Sequence, residues 1–204
     1  MLRSLTIFLA AVSLLAAGCN PARTSQSGNF SLQPGDLLFR DSDGSIVVIE
    51  AGGGGVKTTK LQNFLARSSD AQGKPKVIVG RLKKPYRKLI PSALQEAAEL
   101  QGKPYDKVFA VDNDAYYCSE LIYEIFKRAN NNTPVFALQP MTFKDSDTGK
   151  TLPAWENYFS RLGTPIPEGQ PGINPGGISR SKTLTIIYKY GNPSKKQPAG
   201  DKKL

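Results

Sequence analysis

The chain has 204 residues, 27 basic against 17 acidic, two cysteines and no histidine, for a formal net charge of +10. A cysteine nucleophile normally hands its proton to a neighbouring imidazole, and this chain has none to offer. The basic excess calls for anionic surroundings, yet no nucleic-acid-binding motif accompanies it.

Residues 1–18 carry one charge, Arg3, then an uncharged apolar run from Leu5 to Ala17 and small residues up to Gly18. Basic start, short apolar middle and small-residue end predict a secretory signal peptide. The run stops short of the roughly 18 apolar residues that a membrane-spanning helix requires. Leu15-Ala16-Ala17-Gly18 before Cys19 resembles a bacterial lipobox, which makes Cys19 the predicted lipidation site and the mature N-terminus. Ordinary signal-peptidase cleavage nearby is the alternative. Asn20 stands where an aspartate would retain an enteric lipoprotein at the inner membrane. The polar residues that follow read as a flexible tether, so that 19–31 forms a lipidated N-terminus and linker.

Without residues 1–18 the balance is 26 basic to 17 acidic, the excess reading as spread along the chain through Lys83-Lys84, Arg87-Lys88 and the tail. Residues 32–191 suffice for one domain with its own core, and 192–204, rich in Lys, Pro and Gly, read as a disordered basic tail. Along the domain, strands are predicted at 36–39, 45–51, 56–59, 76–82 and 183–190, with a turn at Gly52–Gly55. A short helix is predicted at 61–66. A longer one is predicted over 92–102, with Pro91 before it, a capping box of Ser92 and Gln95, and Gly102 as its end. A third helix, from Cys118 to Ala129, has the apolar face Leu121, Ile122, Ile125 and Phe126. The section holding Trp155, Tyr158 and Phe159 reads as loop-rich. Strands and helices mix without strict alternation, which predicts an α+β fold.

With Cys19 consumed by lipid, Cys118 is the only thiol left in the mature chain. A cysteine in the first turn of a helix meets unpaired N–H groups and the positive end of the helix dipole, both favouring thiolate. A depressed pKa and a position lining a cleft are therefore expected of Cys118. Asn113 or Asp114 is the expected cap, and Tyr116 and Tyr117 are expected to supply a hydroxyl and an aromatic pocket wall beside the sulfur. The bland alternative for an isolated cysteine is a buried small hydrophobe.

Four segments in order, Gly35-Asp36-Leu37-Leu38-Phe39, Val48-Ile49-Glu50-Ala51, Gly102-Lys103-Pro104-Tyr105-Asp106 and Tyr117-Cys118-Ser119-Glu120-Leu121, resemble the permuted papain-like amidases of the YaeF/YiiX type. These are relatives of NlpC-type cell-wall peptidases. The likeness extends from about Leu32 to Tyr190. It implies a circularly permuted papain-like core, a small antiparallel sheet packed on helices, in which Cys118 is the nucleophile. Glu50 then falls at the position that orients the base, and Tyr117 at one that shapes the pocket.

In the family a histidine-bearing strand lies between the first two segments, whereas here Arg40-Asp41-Ser42-Asp43-Gly44 alone joins them. Asp43-Gly44 suits a tight turn, so the shortened chain can close as a hairpin that lacks one strand. Three accounts follow, in order of preference: an active enzyme whose sequence has suffered a deletion or a misread gene boundary, a natural degenerate member that binds without cleaving, or a substitute base. Lys57 and Lys60 are the nearest candidates for the last.

The resulting expectation is an envelope-anchored lipoprotein of cysteine amidase type, exported to the outer membrane or periplasmic face. It would act on cell-wall peptide or acylated small molecules through a thioacyl intermediate, impaired by the missing histidine. A catalytically silent binding lipoprotein is the first alternative, and an acyltransferase or lipid deacylase on the same fold is the second. No metal, cofactor or nucleic-acid partner is expected; the membrane is engaged through Cys19, and the protein is expected to be a monomer.

Overall fold

The computed structural model describes residues 39–40 and 46–190. The signal segment, Cys19, the tether, the basic tail and most of the strand expected at 36–39 lie outside the described residues.

Strand β1 (Phe39–Arg40), β2 (Ile46–Gly52) and β3 (Gly55–Lys60) form an antiparallel sheet in that order. Phe39 pairs with Val47 and Arg40 with Ile46, so the strands on either side of the shortened connection lie antiparallel. Val47, Val48, Ile49 and Ala51 are all buried, and β-branched residues suit a strand covered on both faces. Gly55, at φ +84°, opens β3 where only glycine fits, because a Cβ there would lie 2.3 Å from the Lys103 carbonyl oxygen. Two backbone bonds stitch the same place: the Val56 N–H donates to Lys103 O and the Gly102 N–H to Val56 O.

Helix α1 (Leu61–Arg67) follows at once and packs on β2 and β3. Strand β4 (Ile78–Leu82) pairs antiparallel with the last strand, β7 (Leu184–Lys189), forming a separate two-stranded ribbon. Between β4 and helix α2 (Ile90–Glu99) runs a 3₁₀ turn, Lys84–Leu89. The turn feeds directly into α2, so the helix starts at Ile90 with Leu89 as its cap. Ser92 is thus an interior residue and the expected capping box does not form; Gly102, at φ +83°, lies beyond the helix end. Helix α3 (Cys118–Ala129) packs along α2 and against β2, burying Leu121, Ile122, Ile125 and Phe126 as its periodicity predicts.

The section that reads as loop holds a further helix, α4 (Pro153–Leu162), flanked by the short strands β5 (Gln139–Pro140) and β6 (Pro171–Gly172). Its signals are plain in hindsight: Pro153 in the first turn, aromatic residues at 155, 158 and 159, and Gly163 in the left-handed conformation as terminator. Its aromatic face meets Phe143 and Phe109 edge-to-face. Helix α5 (Pro175–Ser179) is capped by the Asn174 side chain, which accepts from the Gly177 N–H at 2.8 Å. The architecture is α+β, small antiparallel sheets against helices.

Candidate active site

Cys118 is the first residue of α3 and a free, half-buried thiol. The residues on either side fix its place. The Ser119 hydroxyl donates to the Ile173 carbonyl at 2.8 Å, and the Tyr117 hydroxyl accepts from the Ile173 N–H at 3.1 Å. One backbone residue of the 171–174 segment is therefore gripped at both its polar groups by the neighbours of Cys118. Neither Asn113 nor Asp114 caps the helix. Asn113 accepts from the Ala115 N–H, and Asp114 pairs with Lys103. Tyr117 is the cap residue, and its N–H is satisfied by the Glu120 carboxyl at 3.1 Å, the back-reaching half of a capping box.

Burial pushes the Glu120 carboxyl up to about 8, opposed by the Tyr117 N–H and reinforced by Asp106, Glu124 and Asp112. Asp106 is itself buried, yet its two oxygens accept from the Val108 and Ala110 N–H groups, at 2.8 and 2.6 Å. That double bond to the backbone holds Phe109 at φ +60°, in the left-handed region, where its ring packs edge-on to Tyr117 with centroids 5.3 Å apart.

The thiol does not have the depressed pKa expected of a helix start. Burial raises it above its ordinary value of 9.0, and the Glu50 carboxylate raises it further. The N–H groups of Cys118 and Ser119 do act to lower it, but taking the sulfur out of water outweighs them. Cys118 thus combines the helix-start position of a nucleophile with the ionisation of a buried thiol.

Glu50 lies on β2, 8 % exposed, close enough to Cys118 for its charge to be felt there. Both of its oxygens are occupied. Thr59, on the neighbouring strand, donates to Oε1 at 2.6 Å, and the Arg67 guanidinium, at the end of α1, pairs with Oε2. Arg67 also lies over the Phe64 ring, 5.6 Å from its centroid. The carboxylate expected to orient a base is therefore bonded to an arginine and a threonine. Lys57 is paired in register with Glu50 on β3 but is exposed, with its Nζ reaching back towards the Gly53–Gly54 turn; Lys60 lies at the far end of β3.

Tyr116 and Tyr117 are brought to the helix start, but both are buried and both hydroxyls are engaged: Tyr116 accepts from Arg128 at 3.1 Å, and Tyr117 from Ile173. The half-buried ring near the sulfur that sequence reasoning passed over is Tyr105. Burial raises its pKa, and the charges of Cys118, Tyr158 and Asp106 raise it further, in that order. Tyr158, from α4, donates to the Lys107 carbonyl at 2.9 Å. The Gly-Lys-Pro-Tyr-Asp segment contained the signal, because it places a phenol immediately before the buried Asp106.

The family model of the permuted papain-like amidase enzymes, YaeF/YiiX, C92 family, matches residues 37–188, and the chain belongs to that family. Among solved structures, the chain is similar to the metalloprotein YiiX of Escherichia coli O157:H7. The two share 26 % identity over 76 % of this chain and 81 % of that one, with a TM-score of 0.57. No curated protein matches the sequence.

Proposed function

We propose that this protein is a lipid-anchored envelope member of the family whose thiol cleft engages cell-wall peptide or acyl-amide groups with little or no turnover. One observation carries the reading. Glu50, the carboxylate facing Cys118, is filled by Thr59 and Arg67, and the whole chain has no histidine for it to orient. A thiol with a raised pKa and no base is a poor nucleophile at neutral pH. The N–H groups of Cys118 and Ser119 remain able to receive a carbonyl oxygen, which suits retention of a ligand.

YiiX is described as a metalloprotein, and the residues of this site do not fit a metal. Among the described residues no three Cys, Asp or Glu side chains converge, and the oxygens of Glu50 are already bonded. No step is routed through an ion. The lipobox-like sequence before Cys19 supports anchoring at the outer membrane or periplasmic face.

The test uses the full chain with an alkylating thiol probe across pH. Labelling of Cys118 should rise only above pH 9, and hydrolysis of peptidoglycan-type amides should match that of Cys118→Ala. Rapid labelling at pH 7 together with turnover lost in Cys118→Ala would overturn the reading. In the same cells, Cys19→Ser should leave the membrane fraction; retention there would remove the anchor from the proposal.

A further inference from the structure

The cations that read as scattered along the sequence are gathered by the fold. Residues 71–95 contain Lys74, Lys76, Arg81, Lys83, Lys84, Arg87 and Lys88 and no acidic residue. Residues 169–190 contain Arg180, Lys182 and Lys189, again with no acidic residue. Taken out of the 27, these ten leave 17 basic residues against 17 acidic, so the two stretches account for the whole net charge of +10. They are far apart in sequence and adjacent in space, because one holds β4 and the other β7, and those strands pair.

At one end of the ribbon the charge is densest. The Lys83 N–H donates to the Thr183 carbonyl at 2.9 Å, which sets Lys182 beside Lys83 and Lys84. Arg87 is drawn to the same end, its Nε donating to the Leu82 carbonyl at 2.8 Å. Lys83, Lys84, Arg87, Lys88 and Lys182 are all exposed, and among the described residues none has a carboxylate within ion-pair distance. Lysines predominate and are exposed as compact point charges along the turn and the strand end, a composition that fits an extended anionic surface better than the bidentate grip on a discrete anion that arginines provide.

We propose that this end of the β4–β7 ribbon, with its 3₁₀ turn, is a docking face for an anionic lipid bilayer. A polybasic face adds an electrostatic contact with anionic headgroups to whatever an acyl anchor contributes. The face is independent of Cys19 in origin and complementary to it in effect.

The full chain is sedimented with phosphatidylcholine vesicles, with and without phosphatidylglycerol. Any acyl anchor contributes to both and cancels in the ratio, so binding to the neutral vesicles reports on Cys19 and the ratio reports on the face. Each basic residue reaching the surface strengthens binding about fivefold, so a ratio of at least about tenfold is expected near 0.1 M salt, falling towards one at about 0.5 M. Replacing Lys83, Lys84, Lys88 and Lys182 together with Gln should abolish the ratio, with folding checked by circular dichroism. Lys144→Gln with Lys150→Gln should leave it intact. A ratio near one in the unmodified chain, or equal loss in both variants, would overturn the proposal. So would binding to an insoluble anionic polysaccharide without preference for phosphatidylglycerol, which would assign the face to a polymer.

Discussion

The two halves of the site have had different fates. The half around Cys118 is tied down many times over, by Ser119 and Tyr117 on Ile173, by Glu120 on the cap N–H and by Asp106 on its own loop. The half around Glu50 rests on a three-stranded sheet, and its carboxylate is bonded to Thr59 and Arg67. A nucleophile placed by a helix start depends on local geometry and a few tethers. A base placed by a strand depends on that strand being present. Absence of such a strand would therefore take away a base while leaving the thiol in its place.

The largest effect should come from restoring what the second half lacks. Inserting a histidine-bearing strand between Phe39 and Ile46 is expected to raise amide hydrolysis by about 10²–10⁴-fold, the usual contribution of a general base. Cys118→Ala in that background should return the rate to baseline. If the insertion binds substrate analogues yet gives no turnover, the first half is not the intact nucleophile site the comparison makes it.

Next comes the cost of the buried acid that braces the first half. The Glu120 carboxyl titrates near 8 in the fold against 4.5 in an ordinary setting, so the folded state holds its proton more tightly than the unfolded one. Its contribution to stability is complete below about pH 4.5 and is lost as pH rises through 8, by up to a few kcal/mol. Thermal melts should show that decline, and Glu120→Gln, whose amide oxygen still accepts the Tyr117 N–H, should flatten it.

The smallest effect concerns the grip on Ile173. Ser119→Ala leaves the Ile173 carbonyl without its partner, and Tyr117→Phe does the same to its N–H. Each should cost about 1–3 kcal/mol in denaturant unfolding. Each should also speed alkylation of Cys118 at fixed pH, a readout that ordinary destabilisation elsewhere, such as truncation of Phe136, whose buried ring packs edge-on to Phe126, should not move below the unfolding range.

The sequence made the outline of this molecule readable where one element decides its own structure. The period of Leu121, Ile122, Ile125 and Phe126 gave α3, and the β-branched run at 46–49 gave β2. Helix α4 was legible in principle through Pro153 and Gly163, but its aromatic residues pack on partners from 109 and 143 that no local pattern identifies. The ionisation of Cys118 was misjudged because the helix start is a local feature, whereas burial and the charge of Glu50 come from distant segments. Arg67 as the partner of Glu50, and Tyr105 as the phenol near the sulfur, were hidden for the same reason: no spacing rule links them to the residues they meet.

The seam at Gly55 bears on how such a chain can change further. The hairpin that carries Glu50 and the loop that carries Tyr105 touch so closely there that even one methyl group would wedge them apart. The approach of these two segments is thus fixed by backbone lying directly on backbone. Gly55→Ala would set a methyl group against the Lys103 carbonyl and push the two segments apart, shifting Glu50 relative to the loop that carries Tyr105.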